Sequence, residues 1–233
     1  MTFTLHSRLE QVVPVSIPIE GSILHGDLQS VGNACGVVIF VHGSGSSRFN
    51  VRNEQFAEEL NKRGLSTLLP DLLTNEEQRI DAGTMHHRLD IPLLVSRSTL
   101  AACWVHQHPK LSRLPIGLFG TSTGAAAALI TAAVMKHDVA AVVSSGGRPD
   151  LVEEALKLVE APTLLIVGGE DKTVMTLNKQ AATRLHCPKK LHVVPGATHL
   201  FEEPGTLDQV VTVAAEWFVT HMRSHVLIHS AVG

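Results

Sequence analysis

The sequence predicts an α/β domain built on a doubly wound, mostly parallel sheet, with an antiparallel hairpin at its N-terminal edge and no lid domain. Two observations lead there. Short, almost wholly apolar runs recur at 36–41, 65–69, 116–119, 139–143, 163–167 and 191–194, and strands apolar on both faces belong to a parallel sheet covered by helices on either side. The stretches between them carry helix formers, so strand and helix alternate as in βαβ units joined by right-handed crossovers. At 233 residues the chain fits one domain spanning 1–233.

Taken in order, residues 11–28 come first, and they differ from the later runs. Val13, Val15, Ile17 and Ile19 alternate with more polar positions around Glu20-Gly21-Ser22, the pattern of a hairpin with one solvated face at a sheet edge. Helical spacing then appears at 56–60, from about 89 to 108 and at 125–135, with Gly64, Pro109, Pro115 and Pro162 marking stops and starts. A last helix over roughly 207–221 sets Val210, Val213, Ala214 and Trp217 on one face, for packing on the sheet.

Composition excludes several classes of function. Hydrophobic residues make up 44% and charged residues 18%, which supports a large core and no disorder. A formal charge of -3 with interspersed signs offers no positive field for nucleic acid or an anionic membrane. No run approaches the ~18 apolar residues needed to span a bilayer, and 1–20 lacks the layout of a signal peptide. Cys35, Cys103 and Cys187 are far apart and odd in number, as expected of reduced packing thiols in a cytoplasmic protein.

In a sheet of this kind ligands bind beyond the carboxyl ends of the strands, and the unusual residues fall there. Gly120-Thr121-Ser122-Thr123-Gly124 lies between the run 116–119 and an alanine-rich helix. A strand turning at once into a helix leaves the middle residue strained and projecting, with flanking glycines where backbones approach closely. The competing reading is a glycine-rich turn for packing or phosphate. A serine hydroxyl needs a base, and of the 14 histidines His199 is best placed, in the loop after the run 191–194. The carboxylate that orients it is expected at the end of the preceding strand: Asp171, after Gly168-Gly169-Glu170, with Glu170 and Asp150 as rivals. The order Ser, Asp, His matches one hydrolytic arrangement. Backbone N–H donors for an oxyanion are expected from Thr123 and from Ser44, in His42-Gly43-Ser44-Gly45. The alternative for that loop, a dinucleotide cradle, lacks its third glycine.

Together these motifs resemble the α/β-hydrolase superfamily, and more narrowly the dienelactone-hydrolase-like small hydrolases. The resemblance spans nearly the whole chain. It implies the α/β-hydrolase fold and cofactor-free hydrolysis of an ester or lactone through an acyl-enzyme. One departure is that the namesake enzymes carry cysteine where this chain has Ser122, which turns the expectation away from dienelactone itself.

The short stretch 144–162 leaves no room for a lid, so an open pocket for small, soluble esters is expected. Arg48, Arg148 and Asp71 follow strands and are candidates for lining it, Arg48 or Arg148 as the anchor of a substrate carboxylate, against the plainer reading of surface pairs and a turn residue. His221, His225 and His229 recur every fourth residue, but the tail beyond 228 reads as frayed and no metal site is expected. Rival functions are a nucleotide-dependent oxidoreductase, an acyltransferase or thioesterase on the same residues, and a non-catalytic binding protein of the same fold. The sequence leaves a homo-oligomer open.

Overall fold

The computed structural model describes residues 10–43 and 47–230, the side chains of 226–230 excepted. Among these residues eight strands form one sheet in the order β1-β2-β4-β3-β5-β6-β7-β8. The hairpin β1 (Val13–Ile19) and β2 (Ser22–Gln29) is antiparallel, with Ile17 opposite Leu24, and β2 runs antiparallel to β4 (Ser66–Pro70). From β4 onward, β3 (Val37–Val41), β5 (Ile116–Thr121), β6 (Val139–Ser145), β7 (Thr163–Gly168) and β8 (Lys189–Val194) are parallel. The central strands β3, β4, β6 and β7 are buried at every residue, which is why they read as unbroken apolar runs. Pro14 and Pro18 lie in the edge strand β1, where a missing N–H costs least.

Helices cover both faces. On one, α3 (Ile91–Gln107), α4 (Thr123–Val134), α5 (Glu153–Leu156) and α6 (Lys172–Arg184) pack Ala101, Ala127, Leu156 and Ala181 over Ile39, Leu118 and Leu165. On the other, α1 (Val51–Lys62) and α7 (Thr206–Ser230) pack Phe56, Leu60, Ala214 and Phe218 over Phe40, Phe119 and Ile166.

The apolar pattern did not reveal two of these elements. The helix α2 (Asn75–Thr84) buries only Asp81, and α6 buries three side chains. Both are polar helices set by caps: Thr74 and Glu77 form a reciprocal capping box, and Asp171 accepts from the Val174 N–H. The last helix runs on to Ser230 instead of ending near 221. Among the described residues no helix is long and apolar enough to cross a membrane.

Candidate active site

Ser122 sits where β5 becomes α4, with φ 50° and ψ −121°. Positive φ is costly for a residue with a side chain and persists only when the surroundings impose it. Here close packing imposes it. A Cβ on Gly124 would stand 2.1 Å from the Val41 carbonyl oxygen, and one on Gly120 2.5 Å from the Ala125 Cα, so only glycine lets the strand and helix meet this tightly. The Ser122 N–H donates to the Ser145 carbonyl at 3.2 Å, and the Ser122 carbonyl accepts from the Arg148 and Ala125 N–H groups at 3.2 Å each.

His199 lies in the loop between β8 and α7. Its Nδ1 is 2.7 Å from Asp171 Oδ2. A carboxylate can only accept, so Nδ1 carries the proton and Nε2 is left as the basic nitrogen. Asp171 is divided between two tasks, since its Oδ1 accepts from the Val174 N–H at 3.1 Å and so caps α6. The last residue of β7 lets the histidine loop approach: a Cβ on Gly168 would fall 2.4 Å from the carbonyl oxygens of Ala197 and Thr198. The end of β6 and the glycine that follows it approach both partners. Ser145 binds the Ser122 N–H, and a Cβ on Gly146 would lie 3.5 Å from His199 Cε1.

Ser122 and His199 line one cavity of about 620 Å³. Its apolar wall is Val51, Phe56, Phe119, Phe201, Leu207 and Val210; Asn50, Arg52, Asn53, Thr121, Ser145 and Glu202 supply polar groups. Phe56 and Phe119 stack with centroids 4.1 Å apart. The ends of β3, β5 and β6 and the loop after β8 all open here, as the strand carboxyl ends of such sheets do.

Of the two expected oxyanion donors, Thr123 is the first residue of α4, where N–H groups point out of the helix end beside Ser122. Ser44 lies outside the described residues. Gly43, just before it, is committed elsewhere, since its N–H donates to Thr121 Oγ1 at 3.1 Å.

The three side chains expected to contact substrate are not brought to this cavity. Arg48 forms ion pairs with Asp27 at 3.3 Å and Asp71 at 3.1 Å, tying the end of the β3–α1 loop to β2 and to the residue after β4. Asp71 is 5% exposed and lines a smaller cavity of about 270 Å³ with His42, Asp81 and Arg88. Burial raises its carboxyl pKa, against the pull of Arg48. Arg148 forms a bidentate pair with Asp150 at 2.8 and 2.7 Å, whose hydrogen bonds push the Asp150 pKa down. Position after a strand puts a residue at the correct sheet end; it does not choose between substrate and a nearby carboxylate. The cation that does line the cavity is Arg52, reached through contacts 148 and 150 residues away in sequence. No sequence signal ties those segments together.

His221 packs its ring against Trp217 at 4.2 Å, and the His229 side chain lies outside the described residues. Among the described residues no three His, Cys, Asp or Glu side chains group to hold a metal.

Residues 24–224 match the model of the dienelactone hydrolase family. A crystal structure of dienelactone hydrolase from Anabaena variabilis ATCC 29413 is 49% identical, with a TM-score of 0.89 over 91% of this chain and 98% of that one. Est1E of Butyrivibrio proteoclasticus shares the fold at 16% identity, with a TM-score of 0.75 over 90% of this chain and 98% of its own. A Mycobacterium tuberculosis protein with the provisional name phosphoribosyl transferase is 49% identical over 212 residues, 91% of this chain but 46% of its own length. The chain thus spans about half of the curated relatives it matches.

Proposed function

The chain belongs to the dienelactone hydrolase family, and from that premise we propose that it cleaves small carboxylic esters or lactones through an acyl-enzyme on Ser122. The observation that carries the reading is the pairing of a strained Ser122, at positive φ, with an Asp171-bound His199 in one cavity. In this reading His199 Nε2 takes the Ser122 hydroxyl proton as Oγ bonds to the substrate carbonyl carbon. The tetrahedral oxyanion is met by the N–H groups of Thr123 and Ser44. The carbon–oxygen bond to the leaving group breaks, and the leaving oxygen takes the proton from His199. Water then attacks the acyl-enzyme, giving its proton to His199, and the acid leaves with Ser122 restored.

The apolar wall of Phe56, Phe119 and Phe201 favours an uncharged acyl or aryl group of modest size over a long lipid tail. The provisional phosphoribosyl transferase name belongs to relatives about twice as long as this chain, and that activity is not carried over. Cys35, Cys103 and Cys187 are free thiols, which favours a reducing, cytoplasmic setting.

Treatment with a fluorophosphonate followed by peptide mapping is expected to place one adduct on Ser122, and Ser122→Ala to lose the adduct and turnover of p-nitrophenyl acetate together. Turnover retained in Ser122→Ala would refute the proposal. Adding a primary alcohol and analysing products separates hydrolysis from transfer to another acceptor.

A further inference from the structure

The loop carrying His199 is held from two sides. Asp171 holds the ring; α1 holds the backbone that follows it. Arg52 stands in the first turn of α1, where its own N–H donates to the side chain of the N-cap residue Asn50 at 3.0 Å. Arg52 lines the Ser122 cavity, its guanidinium Nη1 donating to the Leu200 carbonyl at 2.6 Å and Nη2 to Glu202 Oε1 at 2.8 Å.

This segment needs such a hold. The Leu200 side chain is 56% exposed, so burial does not anchor it. Phe201 is buried but sits at φ 52°, a conformation an aromatic residue keeps only under external constraint. An exposed ion pair such as Arg52 with Glu202 adds little to folding. The bond to the Leu200 carbonyl is different: it is charge-assisted, directional and one residue from the imidazole.

We infer that Arg52 is a positioning residue for His199, clamping Leu200 and Glu202 onto α1 so that the imidazole faces Ser122 while Asp171 holds Nδ1. The inference rests on the proposed role of His199 as base. A planar fork can serve the carbonyl and the carboxylate at once, whereas a lysine ammonium is a single point donor and holds the loop less well.

The test is steady-state kinetics on a neutral ester, p-nitrophenyl acetate, with Arg52→Gln, Arg52→Lys and Glu202→Gln beside the unaltered protein. For Arg52→Gln, kcat is expected to fall about tenfold or more, as small misplacements of a catalytic group do, with KM within about twofold and the thermal midpoint nearly unchanged. Arg52→Lys should fall between Arg52→Gln and the unaltered protein, and Glu202→Gln should lose less than Arg52→Gln because the Leu200 bond survives. An unchanged kcat in Arg52→Gln overturns the inference; so does a raised KM at constant kcat, which would mark Arg52 as a substrate contact instead. Should Arg52→Gln fail to fold, the same split in Arg52→Lys decides. His199→Ala separates the two levels. If it keeps turnover, the base assignment fails whatever Arg52 does; if it is inactive while the Arg52 variants are unaffected, only the positioning role falls.

Discussion

Gly43 lines two cavities, and the two are made of different materials. The smaller one is rich in charge, but its charges are spent on the protein itself. Asp81, 1% exposed, takes the Arg88 guanidinium and the Arg88 N–H, fastening the end of α2 to the turn His87–Leu89, and Asp71 takes Arg48. The larger cavity has an apolar, aromatic wall, and Ser122 and His199 both line it, with Asp171 holding His199 through Nδ1. Charge already satisfied within the protein builds a frame. A strained hydroxyl sharing a cavity with an imidazole held on one side only is the kind of arrangement that can act on a ligand.

The contrast is tested most severely at Asp171, which holds the proposed base His199 and caps α6 at once. Asp171→Asn and Asp171→Ala should each lower kcat by roughly 10³–10⁴, because the imidazole loses the acceptor that sets its tautomer. They should differ in stability. Asn retains an oxygen to cap α6, whereas Ala removes the bond from the Val174 N–H and costs about 1 kcal/mol in urea unfolding. Equal stabilities would mean the cap contributes nothing.

The smaller cavity should answer in the reverse sense. Asp81→Asn leaves Arg88 without its buried counter-charge and is expected to cost about 2 kcal/mol of unfolding free energy. Turnover per folded molecule should stay within about twofold. A large loss of kcat with intact stability would show that the charged cavity takes part in the chemistry after all.

The smallest effect concerns pH. Burial pushes His42 below its ordinary pKa of 6.5, outweighing its Gly43 hydrogen bond and the nearby Asp71, and its Nε2 is sealed from solvent with no partner among the described residues. As pH falls past 6.5 the unfolded chain protonates this histidine first, so stability present above that value is lost until the folded-state pKa is reached, and then levels off. His42→Gln should flatten this part of the stability curve, read by chemical unfolding between about pH 5 and 8. Parallel curves for the two proteins would remove the assignment.

Much of the molecule was legible in the amino-acid order. Strands buried on both faces betray themselves as unbroken apolar runs, and the hairpin as alternation, because burial is written residue by residue. The Gly120–Gly124 turn is local as well. Helices α2 and α6 were harder: they are polar, bury few side chains and are set by caps, and the Thr74…Glu77 box was the one local sign of α2. The arginines show the limit most plainly. Arg48 and Arg148 stand after strands as a substrate anchor would, yet each has a carboxylate within reach, at Asp71 and Asp150.

By itself the sequence determined the doubly wound sheet, the strained serine turn and the family the chain belongs to, since each is encoded in contiguous residues whose polarity and backbone freedom act locally. Only the tertiary structure decided which charges are consumed by the frame and which face the cavity, and that Arg52 on α1 meets the loop of His199. The Arg52 contact joins side chains 150 residues apart, and even the nearer pairs compete with the cavity for the same cations, so the outcome is settled only when the sheet and its helices close on one another.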